Sequence, residues 1–210
     1  MDRDAILEII RVGKKLDEKG LVNSFEGNIS IKKNGLIYIT PTGKDKASLT
    51  EEMVAIIDSD GNQVGGSCKP TSELPMHTDT YEIRDDIGAV VHAHPPYLTA
   101  YSLCNMPVET RAYPEMMGNF TRFECAPYGR PGTSAILEGA IPILKYSNIV
   151  VLGNHGVLVV GKDAEEAMNR AIAAEAIAKT LFLTKQLGLP CDLPDSECDF
   201  FFSLNGNAHE

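Results

Sequence analysis

The chain has 210 residues, 43% hydrophobic and 23% charged, ordinary values for a globular chain with a core of its own. Nineteen Lys+Arg against 29 Asp+Glu leave a formal net charge of −10. That balance excludes a nucleic-acid binder and a basic membrane-surface protein, because both set clustered positive charge against phosphates.

Residues 4–19 space Ile6, Ile9, Ile10, Val12 and Leu16 for an amphipathic helix that Gly20 ends. Strands are predicted over 28–32 and 36–40, joined by the Lys33-Asn34-Gly35 turn. Residues 53–58 read as a strand closed by Asp60-Gly61, 73–84 as a helix, and 87–94 as a buried strand stopped by Pro95-Pro96. Residues 103–131 are expected to be irregular, and 133–145 to be a helix that Pro142 kinks or shortens. Strands over 148–152 and 157–160 flank Gly153-Asn154-His155-Gly156. A long Ala-rich helix over 163–187 is capped near Asp163 and ended by Gly188 and Pro190. Hairpins between strands favour a mixed or antiparallel sheet sandwiched by helices over a doubly wound parallel one. The expected organisation is one domain over 1–190 and a tail over 191–210, which docks through Phe200-Phe201-Phe202 on a neighbour or stays mobile.

The five cysteines Cys68, Cys104, Cys125, Cys191 and Cys198 form no C-x-x-C pair. No run of eighteen apolar residues occurs, and the first twenty residues carry charges throughout, without the apolar core of a signal peptide. Together these predict a cytoplasmic protein with reduced thiols.

His92 and His94 stand two apart at a strand end, so both imidazoles leave one face. On the residues alone, the pair reads as a chelating pair or as two strand-end histidines, solvated or packed. His155 sits at a Gly-flanked hairpin tip, and three histidines match the ligand count of a catalytic zinc. His77 reads as a helix residue with a local hydrogen bond, and His209 as an exposed tail residue. Gly27-Asn28, Thr42-Gly43 and Thr71-Ser72 supply hydroxyls and N–H groups at turns and at a helix start, where Ser72 is the expected N-cap. Taken singly, each reads first as a turn or cap residue, and Glu73 as a first-turn acid.

In order and separation, Gly27-Asn28, Thr42-Gly43, Thr71-Ser72-Glu73, His92-x-His94 and His155 resemble the class II aldolase/adducin family, nearest its L-fuculose-1-phosphate aldolase branch, over about residues 4 to 188. The resemblance implies a three-layer α/β/α sandwich around a mainly antiparallel sheet, assembled as a cyclic homotetramer with sites near subunit interfaces. It implies Zn²⁺, with Mn²⁺ or Co²⁺ as substitutes, on His92, His94 and His155, with Glu73 as a resting-state ligand. A small phosphorylated sugar would seat its phosphate among Gly27, Asn28, Thr42, Gly43, Thr71 and Ser72. The implied reaction is reversible cleavage of a ketose 1-phosphate into dihydroxyacetone phosphate and an aldehyde. Glu73 would exchange a proton, Tyr113 would protonate the aldehyde-side oxygen, and Lys44 and Lys46 would give electrostatic support.

Glu73 favours aldolase over the ribulose-5-phosphate 4-epimerases, which usually carry aspartate there. Aldolases for 5-deoxyribulose 1-phosphate, methylthioribulose-1-phosphate dehydratases and tetronate-phosphate decarboxylases share the three histidines. Adducin-like heads keep the fold without catalysis, and the retained metal set argues against that class. Two departures stand out: Asn23-Ser24-Phe25-Glu26 replaces small or hydroxyl residues, and no tyrosine follows Tyr146 where aldolase tails often supply one.

Overall fold

The computed structural model describes residues 1–204; His209, expected to be exposed in the tail, lies outside them. Helix α1 (Arg3–Glu18) buries Ala5, Ile9, Val12, Gly13 and Leu16. It ends at left-handed Gly20 (φ 71°), whose N–H donates to Asp17 O at 2.8 Å while Leu21 N–H reaches Leu16 O at 2.9 Å. Leu16 and Leu21 are both buried, the apolar contact that accompanies such a stop. Strands β1 (Asn28–Lys33) and β2 (Leu36–Ile39) pair through a two-residue turn in which Asn34 (φ 54°) and Gly35 (φ 76°) are both left-handed. The chain continues through β3 (Ala55–Ile57), β4 (Gln63–Gly65), α2 (Leu74–Ile83), β5 (Ala89–Ala93), α3 (Pro96–Leu103), α4 (Pro114–Asn119) and β6 (Glu124–Ala126). It closes with α5 (Ala135–Glu138), α6 (Ile141–Leu144), β7 (Ile149–Leu152), β8 (Gly156–Gly161), α7 (Ala164–Leu187) and α8 (Asp195–Leu204).

The eight strands form one sheet in the order β4-β3-β2-β1-β5-β8-β7-β6; only β6 and β7 run parallel. Its central strands are buried on both faces, and their alternate residues enter two different clusters. Ala89, Val91, Ala93, Val157 and Val159 join residues of α1, α3, α4 and α7. Val90, Leu158 and Val160 join Met76 and Tyr81 of α2 and the apolar residues of α5 and α6. The result is the three-layer α/β/α sandwich around a mixed sheet. α7 starts as the sequence reads it: Asp163 accepts from Glu166 N at 2.8 Å while Glu166 accepts from Lys162 N at 2.7 Å.

Several expectations are corrected. Strand β3 is shorter than residues 53–58, because Met53 belongs to a 3-10 turn (Glu51–Met53). The stretch 103–131 is not wholly irregular, since it carries α4 and β6. Pro96 does not merely stop β5: it is the first residue of α3, where its missing N–H costs nothing. The helix expected over 133–145 is two short ones, and Pro142 lies in the first turn of the second. Gly139 divides them; a Cβ there would lie 2.7 Å from Pro127 Cδ. The described part of the tail, residues 191–204, docks on its own chain: in α8, Cys198 is fully buried and Phe201 packs beside Gly118 of α4.

Candidate metal centre and anion cradle

Antiparallel pairing brings the start of β1, the end of β2, the end of β5 and the start of β8 to one end of the sheet. Asn28 stands opposite His92, and His92 opposite Leu158. His92 Nδ1–H donates to Val157 O at 3.0 Å, which turns Nε2 into the cluster, 2.8 Å from His94 Nε2. His94 follows the strand end, tied by its N–H to Leu21 O at 3.0 Å. His155 sits at the β7–β8 tip beside left-handed Asn154 (φ 56°). Its backbone N–H is held by Leu152 O at 3.0 Å and by Ser102 Oγ, from α3, at 2.8 Å. Gly156 permits the close approach, since a Cβ there would lie 2.5 Å from Ala93 O and 3.0 Å from His94 Cδ2.

The three imidazole centroids are 4.7 Å apart in every pair, and one nitrogen from each ring lies within 4.8 Å of the others. Glu73, at the N-terminus of α2, places Oε1 3.0 Å from His155 Nε2 and Oε2 3.3 Å from His92 Nε2. Asn28 Nδ2 donates to Oε2 at 2.8 Å. Burial pushes His92 down to about 3 and also lowers His94, so both rings are neutral at neutral pH, as metal ligation requires. Burial works to raise the Glu73 carboxyl. The neighbouring His92 and hydrogen bonds from His155 and Asn28 outweigh it and hold that carboxyl well below the usual range. Imidazole nitrogens with an ionised carboxylate, and no Lys or Arg bonded to them, are a fitting donor set for a divalent first-row cation.

Beside this cluster lies a cavity of about 360 Å³ walled by Gly27, Asn28, Thr42, Gly43, Thr71, Ser72, Glu73, His94 and His155. An isolated bridge between Pro41 and Pro70 juxtaposes its turns, with Thr42 N donating to Lys69 O and Thr71 N to Thr40 O, both at 3.1 Å. Gly27 must be glycine: φ is 81°, and a Cβ would meet Val22 Cγ1 at 2.4 Å. The helix-start hydrogen bond falls to Thr71 Oγ1, which accepts from Glu73 N at 3.2 Å. Ser72, the expected N-cap, makes no such bond and opens on the cavity.

All the expected metal and phosphate residues therefore gather at one place, with His92 behind the cavity wall and fully buried. Tyr113 does not join them within one chain; it precedes α4, half-buried against the core. The Asn28 side chain is already engaged by Glu73 and His77. Three further residues take part, of which Ser102 alone was not singled out in the sequence. His77 does not make the local hydrogen bond expected of it: it is fully buried and bonds Asn28 and Ser30, far away in sequence, and its place four residues after Glu73 was the available signal. Ser102, which no local pattern marks, supports the His155 backbone, and Lys46, expected to give electrostatic support beside Lys44, lines the cavity from a buried position.

Residues 7–182 match the family model described as Class II Aldolase and Adducin N-terminal domain. A 5-deoxy-D-ribulose 1-phosphate aldolase of Bacillus thuringiensis serovar kurstaki is 33% identical over 194 residues, 91% of either chain. An L-fuculose phosphate aldolase of Methanococcus maripaludis is 37% identical over 172 residues, 82% of this chain and 92% of that one. A solved L-fuculose 1-phosphate aldolase superposes with a TM-score of 0.87 at 32% identity, covering 97% of this chain and 96% of the other. Sheet order, histidine cluster and sequence likeness thus run together over most of the length, and the chain belongs to the class II aldolase and adducin family.

Proposed function

We propose that the protein is a metal-dependent aldolase that reversibly cleaves a ketose 1-phosphate, of the L-fuculose 1-phosphate kind, into dihydroxyacetone phosphate and a lactaldehyde-like aldehyde. The observation that carries this reading is the adjacency of the His92–His94–His155–Glu73 cluster and the hydroxyl-lined cavity. The histidines would hold Zn²⁺, with Mn²⁺ or Co²⁺ as substitutes. Bound there, the cation supplies Lewis-acid stabilisation of the negative charge left by carbon–carbon cleavage. Gly27, Thr42, Gly43, Thr71 and Ser72 seat the phosphate, and Asn28 holds the Glu73 carboxylate. Glu73 returns a proton to the carbon that becomes the hydroxymethyl group of dihydroxyacetone phosphate, and takes it in the synthetic direction. Tyr113 would take the proton of the aldehyde-side hydroxyl in cleavage and return it in synthesis only across a subunit contact, in keeping with a homotetramer. The five unpaired cysteines agree with a reducing cytoplasm. A second reading keeps this chemistry with 5-deoxyribulose 1-phosphate as substrate, supported by the Bacillus relative.

A panel of ketose 1-phosphates and ribulose 5-phosphate, with dihydroxyacetone phosphate followed through a coupled dehydrogenase, separates the readings. Turnover is expected to vanish with a chelator, return with Zn²⁺, and fall at least about 100-fold in His155→Ala. Silence on every 1-phosphate, with epimerisation of the 5-phosphate, overturns the aldolase reading.

A further inference from the structure

Lys46 opens a 3-10 turn (Lys46–Ser48) packed against α1 and is only 3% exposed, a rare state for a lysine. The packing is made by Gly13 inside α1, where a Cβ would come within 3.1 Å of Lys46 O and 3.5 Å of Lys46 Cβ. A glycine there forgoes roughly 1 kcal/mol of helix propensity relative to alanine, so room for this turn is kept at some cost to the helix. Among the described residues, no carboxylate forms an ion pair with the ammonium and no acceptor hydrogen-bonds it; Asp45, Asp17 and Glu73 act on it only through space. The one fully enclosed side-chain nitrogen or oxygen without a partner among those residues is Thr99 Oγ1. Lys46 Nζ is therefore not sealed in the core, and its opening is the cavity it lines with Thr42, Ser72 and Glu73. Lys44, two residues earlier, is exposed and lines no part of that wall.

A buried cation without a counter-ion is unfavourable unless something completes it. The hydroxyl and N–H groups around it suit an anion but carry no formal charge. We propose that Lys46 is a direct ionic ligand of the substrate phosphate, donating a charge-assisted hydrogen bond to a phosphoryl oxygen and making the site select phosphorylated over free sugars. The proposal rests on the reading that this cavity receives a sugar phosphate. It separates Lys46 from Lys44, which stays a solvated surface charge.

The test is Lys46→Met, which keeps the apolar stem and removes the charge, with Lys46→Gln as a second variant should Met not fold. Inorganic phosphate is titrated against each purified full-length protein by thermal shift and calorimetry, and KM and kcat are measured with the ketose 1-phosphate that the parent turns over. The expected result is phosphate affinity lower by about 10- to 100-fold and KM raised by the same factor, with kcat little changed. Without phosphate the Met variant is expected to melt no lower than the parent, because an apolar isostere removes an unpaired buried charge. Undiminished phosphate affinity in the variant, with the parent responding, overturns this proposal and leaves the cavity reading standing. So does a variant that only melts lower, which assigns Lys46 a structural role. A parent that does not bind phosphate overturns the cavity reading and this proposal with it.

Discussion

Asn28 faces a carboxylate on one side and an imidazole on the other, and that fixes every proton along a buried chain. Glu73 can only accept, so the Asn28 amide nitrogen points to it and Oδ1 is left to accept from His77 Nε2–H. His77 Nδ1 must then accept from Ser30 Oγ at 2.7 Å, and Ser30 accept from the Tyr81 hydroxyl at 2.9 Å. The chain of donors runs one way from Tyr81 to Glu73 and requires a neutral His77. Burial supplies that neutrality, pushing His77 down to about 4 from an ordinary 6.5. The unfolded chain takes up a proton between those values that the folded chain refuses. Stability from this residue is complete above about pH 6.5 and falls by about 3 kcal/mol as the pH drops to 4. For metal-free protein unfolded by urea, His77→Gln is expected to lose about 2 kcal/mol of the stability difference between pH 7 and pH 5. An unchanged pH dependence would show that His77 titrates normally.

The β7–β8 hairpin shows which elements were open to sequence reading. Its glycines and the left-handed Asn154 are local signals, and α1, the β1–β2 turn and α7 carry equally local stops and caps. α3 gave no such signal, because Pro95-Pro96 serves a strand end and a helix start alike. Its N-terminal N–H groups at Tyr97 and Leu98 are capped by Glu175, 78 and 77 residues away, a partner that no window around Pro96 contains. The split between α5 and α6 likewise depends on Pro127 lying against Gly139. Within the hairpin, Gly156 is where backbone spacing meets the histidine cluster. Gly156→Ala is expected to move the start of β8 away from Ala93 and press on His94, loosening metal affinity by about 10- to 100-fold, the range seen when ligand orientation is disturbed. Competition against a chromophoric chelator measures it, with circular dichroism checking that the sheet persists. Parental affinity would mean the hairpin absorbs a Cβ without moving the imidazoles.

At the scale of the molecule, the three histidines meet because β5 lies between β1 and β8, which are distant in sequence. The sequence held the ligand types, while their convergence belongs to the sheet order. The charge of −10 is likewise global, and the cavity answers an anion locally with N–H groups, hydroxyls and Lys46. The expected boundary at residue 190 is also a whole-molecule claim, and α8 bears on it. Leu193 N–H donates to Arg111 O at 2.9 Å, Asp195 pairs with Arg111, and Cys198 is fully buried with Sγ 3.7 Å from Arg111 O. These contacts pin the loop that leads to Tyr113, and Phe201 covers α4 at Gly118. Losing the buried thiol and the packed ring together removes about 2–3 kcal/mol of apolar burial. Ending the chain after Pro190 is therefore expected to lower Tm by roughly 4–12 °C, given about 2–4 °C per kcal/mol for a chain of this size. Calorimetry of the full and shortened chains decides it. An unchanged Tm would make α8 an appendage to a unit complete at residue 190, whereas the expected fall makes it part of the fold that holds the Tyr113 loop.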